Sequence, residues 1–471
     1  EIYPIGLLSL VLLVYVSSRV ERARAGFGLG FAWGMGAFLA GISWLFIALN
    51  RYGGVPAPVA ALAIALFCAY LALFPALVVA MFVRIRPRKV WLGALAFAGL
   101  WVVAEILRGR LFTGFPWLAI AYSQTPPSPL AGFLPVLGVY GVGFVLAWLA
   151  AIFGLAVQRS RSAVLAGMAA LVLVSAVGAA LMRVQWTVPE GEPISVALIQ
   201  TNVGQALKWA PERLAEVIAI NIDLVREHSA DLVVLPETTL PVLADQLPAD
   251  FFATLSEPVR SIGADLVLGV FKRDAQGRIF NSAISLGASP GQSYAKQHLV
   301  PFGEYMPPFF DWFYRIANIP MSDQTRGARN QPPLQLAGQQ IAINICYEDL
   351  FGHELIGGLP DATLFLNLSN LAWYGESFAQ PQHLQIAQVR AMETGRPMLR
   401  ATNTGMTAVV QPDGQVAGVL AQFERGALHM SVRGYQGMTP YGQWGDFVAL
   451  AMAALALGLV ALAPGRRAAS A

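Results

Sequence analysis

The chain has 471 residues, 56% hydrophobic and 13% charged, with a formal net charge of +3. Soluble proteins carry about 25% charged residues, so this is not a wholly soluble globular chain, and a charge this small with no basic stripe gives no footing for nucleic acid. The deficit is local: residues 1–183 and 446–463 are long apolar runs, whereas 194–434 has the make-up of a globular domain able to bury its own core.

A membrane-spanning helix needs about 20 mostly apolar residues. Seven stretches qualify as candidates: 2–18, 27–50, 55–83, 90–107, 131–157, 163–182 and 446–463. The basic residues between them alternate. Arg19, Arg22 and Arg24 follow the first stretch. Arg84, Arg86, Arg88 and Lys89 follow the third, Arg159 and Arg161 the fifth, and Arg466 and Arg467 the last. The other loops hold only Arg51, Arg108 and Arg110. Lys/Arg-rich short loops stay in the cytoplasm, so residues 183–445 are expected outside it, in the periplasm of a Gram-negative bacterium. The same parity puts Glu1 outside, and one further N-terminal span is expected before it. No small-residue cleavage site follows the first apolar run.

Between the spans, strand and helix signals alternate. Strands are expected at 194–200, 230–237, 264–271, 280–286, 340–348 and 362–370, with helices at 211–228 and 376–394. "MLRATNTG", "TAVVQPDGQVAG" and "ALHMSV" add further strands and hairpins, with "PDG" as a turn. The pattern predicts a sheet-rich α/β domain. Segment 307–333 stands apart as long, aromatic and bounded by prolines, a make-up associated with functional loops.

Only two cysteines are present. Cys68 lies inside a span and reads as a small apolar side chain. Cys346 ends the apolar run "AINIC" and is followed at once by Tyr347 and Glu348. A free thiol facing an oxidising compartment is a liability, which favours retention for reactivity. Glu237 closes "LVVLPE", and Lys296 follows "SYA". Strand ends are where open sheets carry ligand chemistry. A thiol attacks carbonyls as the thiolate, a carboxylate can take its proton, and an ammonium can stabilise the oxyanion that forms. Glu304 and Glu348 are placed to orient or balance the lysine. This set performs acyl transfer through a thioester with no metal and no cofactor.

"LVVLPET", "YAKQHLVPFGEY" and "NICYED" resemble the signature segments of the carbon–nitrogen hydrolase (nitrilase) superfamily. With the flanking spans, and with "LKWAPER", "FTGFPWLAIAYSQ", "VRAMETGRPMLRATNTG" and "GMTPYGQWGD", the chain resembles the membrane-embedded apolipoprotein N-acyltransferase family over nearly its whole length. The resemblance implies a nitrilase-like α-β-β-α sandwich at 194–434, carried by a polytopic helical bundle at 1–183 and a closing span at 446–463. It implies Glu237 as general base, Lys296 as oxyanion stabiliser and Cys346 as nucleophile, with Glu304, Tyr347 and Glu348 in support. Trp209, Asn370 and Trp373 are implied to shape the substrate pocket. One position departs from the pattern: Leu371 stands in "SNLAW", where the family commonly has an acid.

The implied reaction is a ping-pong transfer. A fatty acyl chain leaves the sn-1 position of a phospholipid, phosphatidylethanolamine being the expected donor, and forms a thioester on Cys346. It then passes to the N-terminal amine of the diacylglyceryl-cysteine of an apolipoprotein at the inner membrane. The competing reading is a membrane-tethered amidase that uses water as acceptor. A transporter or receptor is a third reading, disfavoured because no interrupted helix pair marks a midplane site. Phe309, Phe310, Trp312, Phe313 and Tyr314 form either a lipid-touching arm or ordinary packing. Phe115 and Trp117 are expected to anchor at the membrane interface, Glu105 to pair with Arg108, and His383 to be structural.

Overall fold

The computed structural model describes residues 3–85, 89–307 and 323–463. It divides into two units, one of residues 1–43, 61–185 and 439–471, the other of 44–60 and 186–438.

Among the described residues five helices are long and apolar enough to cross a membrane: Ala23–Ile42, Ala57–Ile85, Val90–Arg108, Pro129–Ala156 and Arg161–Leu181. Helices Pro4–Ser17 and Phe447–Leu462 are apolar but shorter, at 14 and 16 residues. Arg161–Leu181 is the least covered of these helices, with only 11% of its apolar window buried and Leu165, Val172 and Leu173 exposed. Where helices meet, small residues let backbones approach. A Cβ on Gly30 would lie 2.5 Å from the Pro75 carbonyl oxygen. Buried Glu105 accepts from the Ile120 N–H at 2.8 Å and lies 3.8 Å from Arg108. Arg108 in turn donates to the carbonyls of Phe115 and Trp117 at 2.7 and 2.6 Å. Trp117 is thereby buried, against the expectation of an interfacial anchor. Phe112 is the exposed aromatic of that segment.

The second unit is built on two six-stranded sheets. The first has the order β12-β1-β2-β3-β4-β5, with β1 (Thr187–Gln200), β2 (Leu232–Val234), β3 (Asp265–Arg273), β4 (Ile279–Gly287), β5 (Ser293–Ala295) and β12 (Gly426–Gly437). The second has the order β11-β10-β9-β8-β7-β6, with β6 (Leu334–Leu336), β7 (Gln339–Ile345), β8 (Leu364–Ser369), β9 (Met398–Thr402), β10 (Ala408–Val410) and β11 (Val416–Val419). At the centre of each sheet the strands are parallel, β1-β2-β3 in one and β7-β8-β9 in the other.

Strand alternation sends one set of side chains to each face. Val196, Leu198, Val234 and Val267 of the first sheet pack against Ile343, Ile345, Leu366 and Leu399 of the second. The opposite face of the first sheet buries Ala197, Val233 and Leu268 against Val217 and Leu224 of helix Leu214–Glu227 and Leu255 and Val259 of helix Phe251–Ser261. Beneath the second sheet, Phe365 and Met398 meet Leu384, Ala387 and Ala391 of helix Ala379–Thr394. The layers are therefore α-β-β-α. This burial, at about 25 cal/mol per Å² of apolar surface, fixes the register of the strands that carry the site.

The apolar stretch 27–50 does not form one span. Its helix ends at Ile42, and residues 44–60 belong to the second unit. There Trp44 packs edge-on to Tyr374 with ring centroids 4.5 Å apart and donates to Gln382 Oε1 at 3.1 Å. Tyr52 meets Trp373 at 5.9 Å.

Candidate active site

Glu237 lies three residues past β2. Its chain runs against β3, with the Leu235 N–H donating to the Val267 carbonyl at 2.8 Å and the Thr239 N–H to the Gly269 carbonyl at 2.9 Å. Gly269 is needed for this approach, since a Cβ there would lie 2.7 Å from Glu237 Cα. The buried Glu237 carboxylate is fixed at both oxygens. Asn281 Nδ2 on β4 donates to Oε1 at 2.9 Å, and the Asn370 N–H, just after β8, donates to Oε2 at 2.9 Å. Asn370 is itself held, accepting from Asn403 Nδ2 at 3.0 Å.

Lys296 follows β5, and its N–H donates to the Asn281 carbonyl at 2.8 Å. Its side chain is 1% exposed and lies 2.6 Å from Glu304 Oε1 and 3.4 Å from Glu237 Oε1. Glu304 is anchored in turn by the Val300 N–H at 2.8 Å. Burial works against the ammonium, but Glu304, Glu237 and the Cys346 sulfur outweigh it and hold the lysine pKa well above the ordinary value.

Cys346 follows the last residue of β7 and takes φ +56°, a left-handed conformation uncommon for a side chain with a Cβ. Such strain, of order 1–3 kcal/mol, clusters where a side chain must be presented. Asn367 Nδ2 on β8 donates to its carbonyl at 3.0 Å. Burial pushes the thiol pKa well up, Glu237 adds to the rise, and Lys296 offsets part of it. The neutral thiol is therefore favoured, with Glu237 and Lys296 both acting on the sulfur through their charge.

Glu348 contacts backbone and a phenol, with no hydrogen bond to the lysine. It accepts from the N–H groups of Ile345, Gln297 and His298 at 2.6, 2.7 and 3.0 Å, and from the Tyr294 hydroxyl at 3.0 Å. It thus ties the lysine-bearing loop to the cysteine turn. Burial lifts its pKa to about 7 against the pull of Lys296 and those N–H groups. Tyr347 is buried, its ring against Phe351 and His298 at 5.0 and 5.5 Å. Trp209 sits between Trp373 and Phe271, both at 6.5 Å. Leu371 is buried. Phe309, Phe310, Trp312, Phe313 and Tyr314 lie outside the described residues.

Several neighbours carry no sequence signal of their own. Asn281 looks like any strand polar residue, yet it bridges Glu237 and Glu304, the latter at 3.4 Å. Tyr374 lies in the field of the site. Burial first, then the Cys346 sulfur and the carboxylates of Glu237 and Glu304, raise its pKa. Below the cysteine turn, buried Asp349 holds His383 Nε2 at 2.7 Å and Arg400 Nη1 at 3.0 Å. His383 is accordingly buried and hydrogen-bonded to that carboxylate.

A paired-sheet sandwich with a carboxylate, a lysine and a cysteine at its strand ends defines an enzyme of the nitrilase class. Residues 195–434 match the carbon–nitrogen hydrolase family, and residues 1–152 match the apolipoprotein N-acyltransferase N-terminal domain. An apolipoprotein N-acyltransferase of Nitrosomonas europaea is 45% identical over 99% of this chain and 94% of its own length. One of Chromobacterium violaceum is 42% identical over 98% and 90%. An amidase of Nesterenkonia sp. AN1 aligns over 52% of this chain and 92% of its own, with 22% identity and a TM-score of 0.40. The chain belongs to the apolipoprotein N-acyltransferase family, a membrane-embedded group of acyltransferases.

Proposed function

We propose that the protein moves a fatty acyl chain from the sn-1 ester of a phospholipid, phosphatidylethanolamine in the first instance, to the N-terminal amine of a diacylglyceryl-cysteine. The observation that carries this reading is the division of labour among the carboxylates. Glu304 takes the shorter contact to Lys296, while Glu237, 3.4 Å from the same nitrogen, is the carboxylate whose charge bears most on Cys346.

In the first half-reaction Glu237 accepts the Sγ–H proton and the sulfur attacks the ester carbonyl. Lys296 faces the oxyanion of the tetrahedral intermediate. That intermediate collapses with cleavage of the C–O bond, the departing alkoxide takes the proton from Glu237, and a lysophospholipid leaves. In the second, the acceptor amine attacks the thioester and Glu237 takes one of its protons. The C–S bond breaks, and the proton returns to sulfur. An amine outcompetes water when it is held in place in a partly dry site, and the buried setting of Glu237 and Lys296 favours this.

The division of the chain follows: 1–183 and 446–463 hold it in the inner membrane, and 194–434 carries the chemistry on the periplasmic side, as the alternation of Lys and Arg favours. The test supplies phospholipid and a synthetic diacylated lipopeptide together. The expected product is the N-acylated lipopeptide. Release of free fatty acid with no N-acylated product would point instead to a hydrolase.

A further inference from the structure

The turn 204–209 carries nitrogen donors that the chemistry above does not use. Lys208 is 2% exposed, and its amine has no hydrogen bond or ion pair among the described residues. Gln205 is equally buried, and its Nε2 has no acceptor among the described residues. The Trp209 Nε1 is buried and also without an acceptor among them. Gln205 is three residues from Lys208 and four from Trp209, the spacings at which side chains of a helical turn are neighbours. The turn borders the site: Gln205 Oε1 accepts from Asn370 Nδ2 at 3.4 Å, and the Asn370 N–H holds Glu237. A buried donor left unpaired costs about 1–3 kcal/mol, and two such donors next to a buried lysine, beside a reaction centre, suit an acceptor brought by a ligand.

We propose that this turn seats the phosphodiester of the phospholipid donor, with Lys208 as its counter-charge and Gln205 Nε2 and Trp209 Nε1 as hydrogen-bond donors. A phosphodiester offers an anion and several acceptor oxygens at once, which matches a face of one cation and two neutral donors. It lies within a few bonds of the sn-1 ester, so holding it sets the ester against Cys346. The diacylglyceryl acceptor has no phosphate, so the site serves the first half-reaction. The charge that acts on the amine is Glu237; burial nevertheless brings Lys208 down to about 7, and binding an anion would hold it protonated.

The proposal rests on the phospholipid-thioester reading above. Its test compares two donors with identical acyl chains, phosphatidylethanolamine and diacylglycerol, in the same detergent micelles. The readout is the rate of acyl-adduct formation on Cys346 by intact mass. In K208Q the ratio of kcat/KM between phospholipid and diacylglycerol falls about tenfold or more, the usual worth of a charged hydrogen bond. In K208R the ratio stays within about threefold of the native value, because the guanidinium also pairs with phosphate. An unchanged ratio in folded K208Q, whether both rates fall or neither does, overturns the proposal. Alkylation of Cys346 by iodoacetamide reports on folding. If K208Q does not fold, the native enzyme carries the test: the ratio declines as pH rises through about 7 as the amine loses its proton, and a flat ratio overturns the proposal. No adduct from either donor on native protein would contradict the proposed function itself, whereas adducts with an unchanged ratio contradict only this assignment.

Discussion

Lys296 Nζ lies 2.6 Å from Glu304 Oε1 and 0.8 Å farther from Glu237 Oε1, at 3.4 Å. The shorter ion pair of the lysine is thus with Glu304, and the longer one is with Glu237. In E304Q, Lys296 is left to pair with Glu237 and withdraws the base. Acyl-enzyme formation is expected to slow by about 10²-fold, at the lower end of what a general base contributes, with KM for phospholipid within about twofold. Single-turnover kinetics on phospholipid alone separates the two quantities; a raised KM at unchanged rate would place Glu304 in substrate binding.

Removing Glu237 should move reactivity and acidity in opposite directions. Burial and then Glu237 raise the thiol pKa, so E237Q lowers it. The pH midpoint of iodoacetamide alkylation therefore shifts down in the variant. Acylation by phospholipid nonetheless falls by about 10²–10⁴-fold for want of a base. A midpoint that shifts up would mean that Glu237 does not act on the sulfur through its charge.

Gly269 is where the fold gives way to the site. A Cβ would lie 2.7 Å from Glu237 Cα and 2.7 Å from the Thr238 nitrogen, both backbone atoms that cannot swing aside. G269A is expected to cost about 1–3 kcal/mol through overpacking and to displace the base. A thermal melt and the acylation rate at low temperature both report it. Native rates would show that the loop adjusts without moving the carboxylate.

Beneath the cysteine turn, D349N leaves Arg400 and His383 without the carboxylate that they share. Breaking a buried pair from one side costs about 3–5 kcal/mol. A large fall in denaturation midpoint is expected, together with loss of the ordered Cys346 turn, read as faster alkylation by bulky thiol reagents. A variant of native stability would remove Asp349 from the supporting structure.

Much of this was legible in the residues, for identifiable reasons. "LVVLPE" and "AINIC" are apolar runs ending on a functional group, and the alternating strand and helix signals point to a sheet-rich α/β domain, whereas the sandwich layering is what the family resemblance implies. Short strands such as β5 and β6 carry too few residues for a period to register. Residues 44–50 read as membrane because they are apolar, yet they belong to the second unit, where Trp44 packs on Tyr374. The same pattern serves lipid and protein alike, so hydropathy cannot separate them. Asn281 and Lys208 were invisible because a polar residue in a strand or turn is ordinarily solvated. Only the three-dimensional neighbours reveal that one bridges two carboxylates while the other is buried in the charge field of Glu237.

The most direct measurement is the intact mass of the purified protein after incubation with phospholipid in the absence of any acceptor. The account predicts a gain of one fatty acyl group, located on Cys346, removed by neutral hydroxylamine and absent from C346A. A protein that turns over phospholipid to N-acylated lipopeptide while never carrying that mass, or that carries it equally in C346A, would contradict a thioester at Cys346.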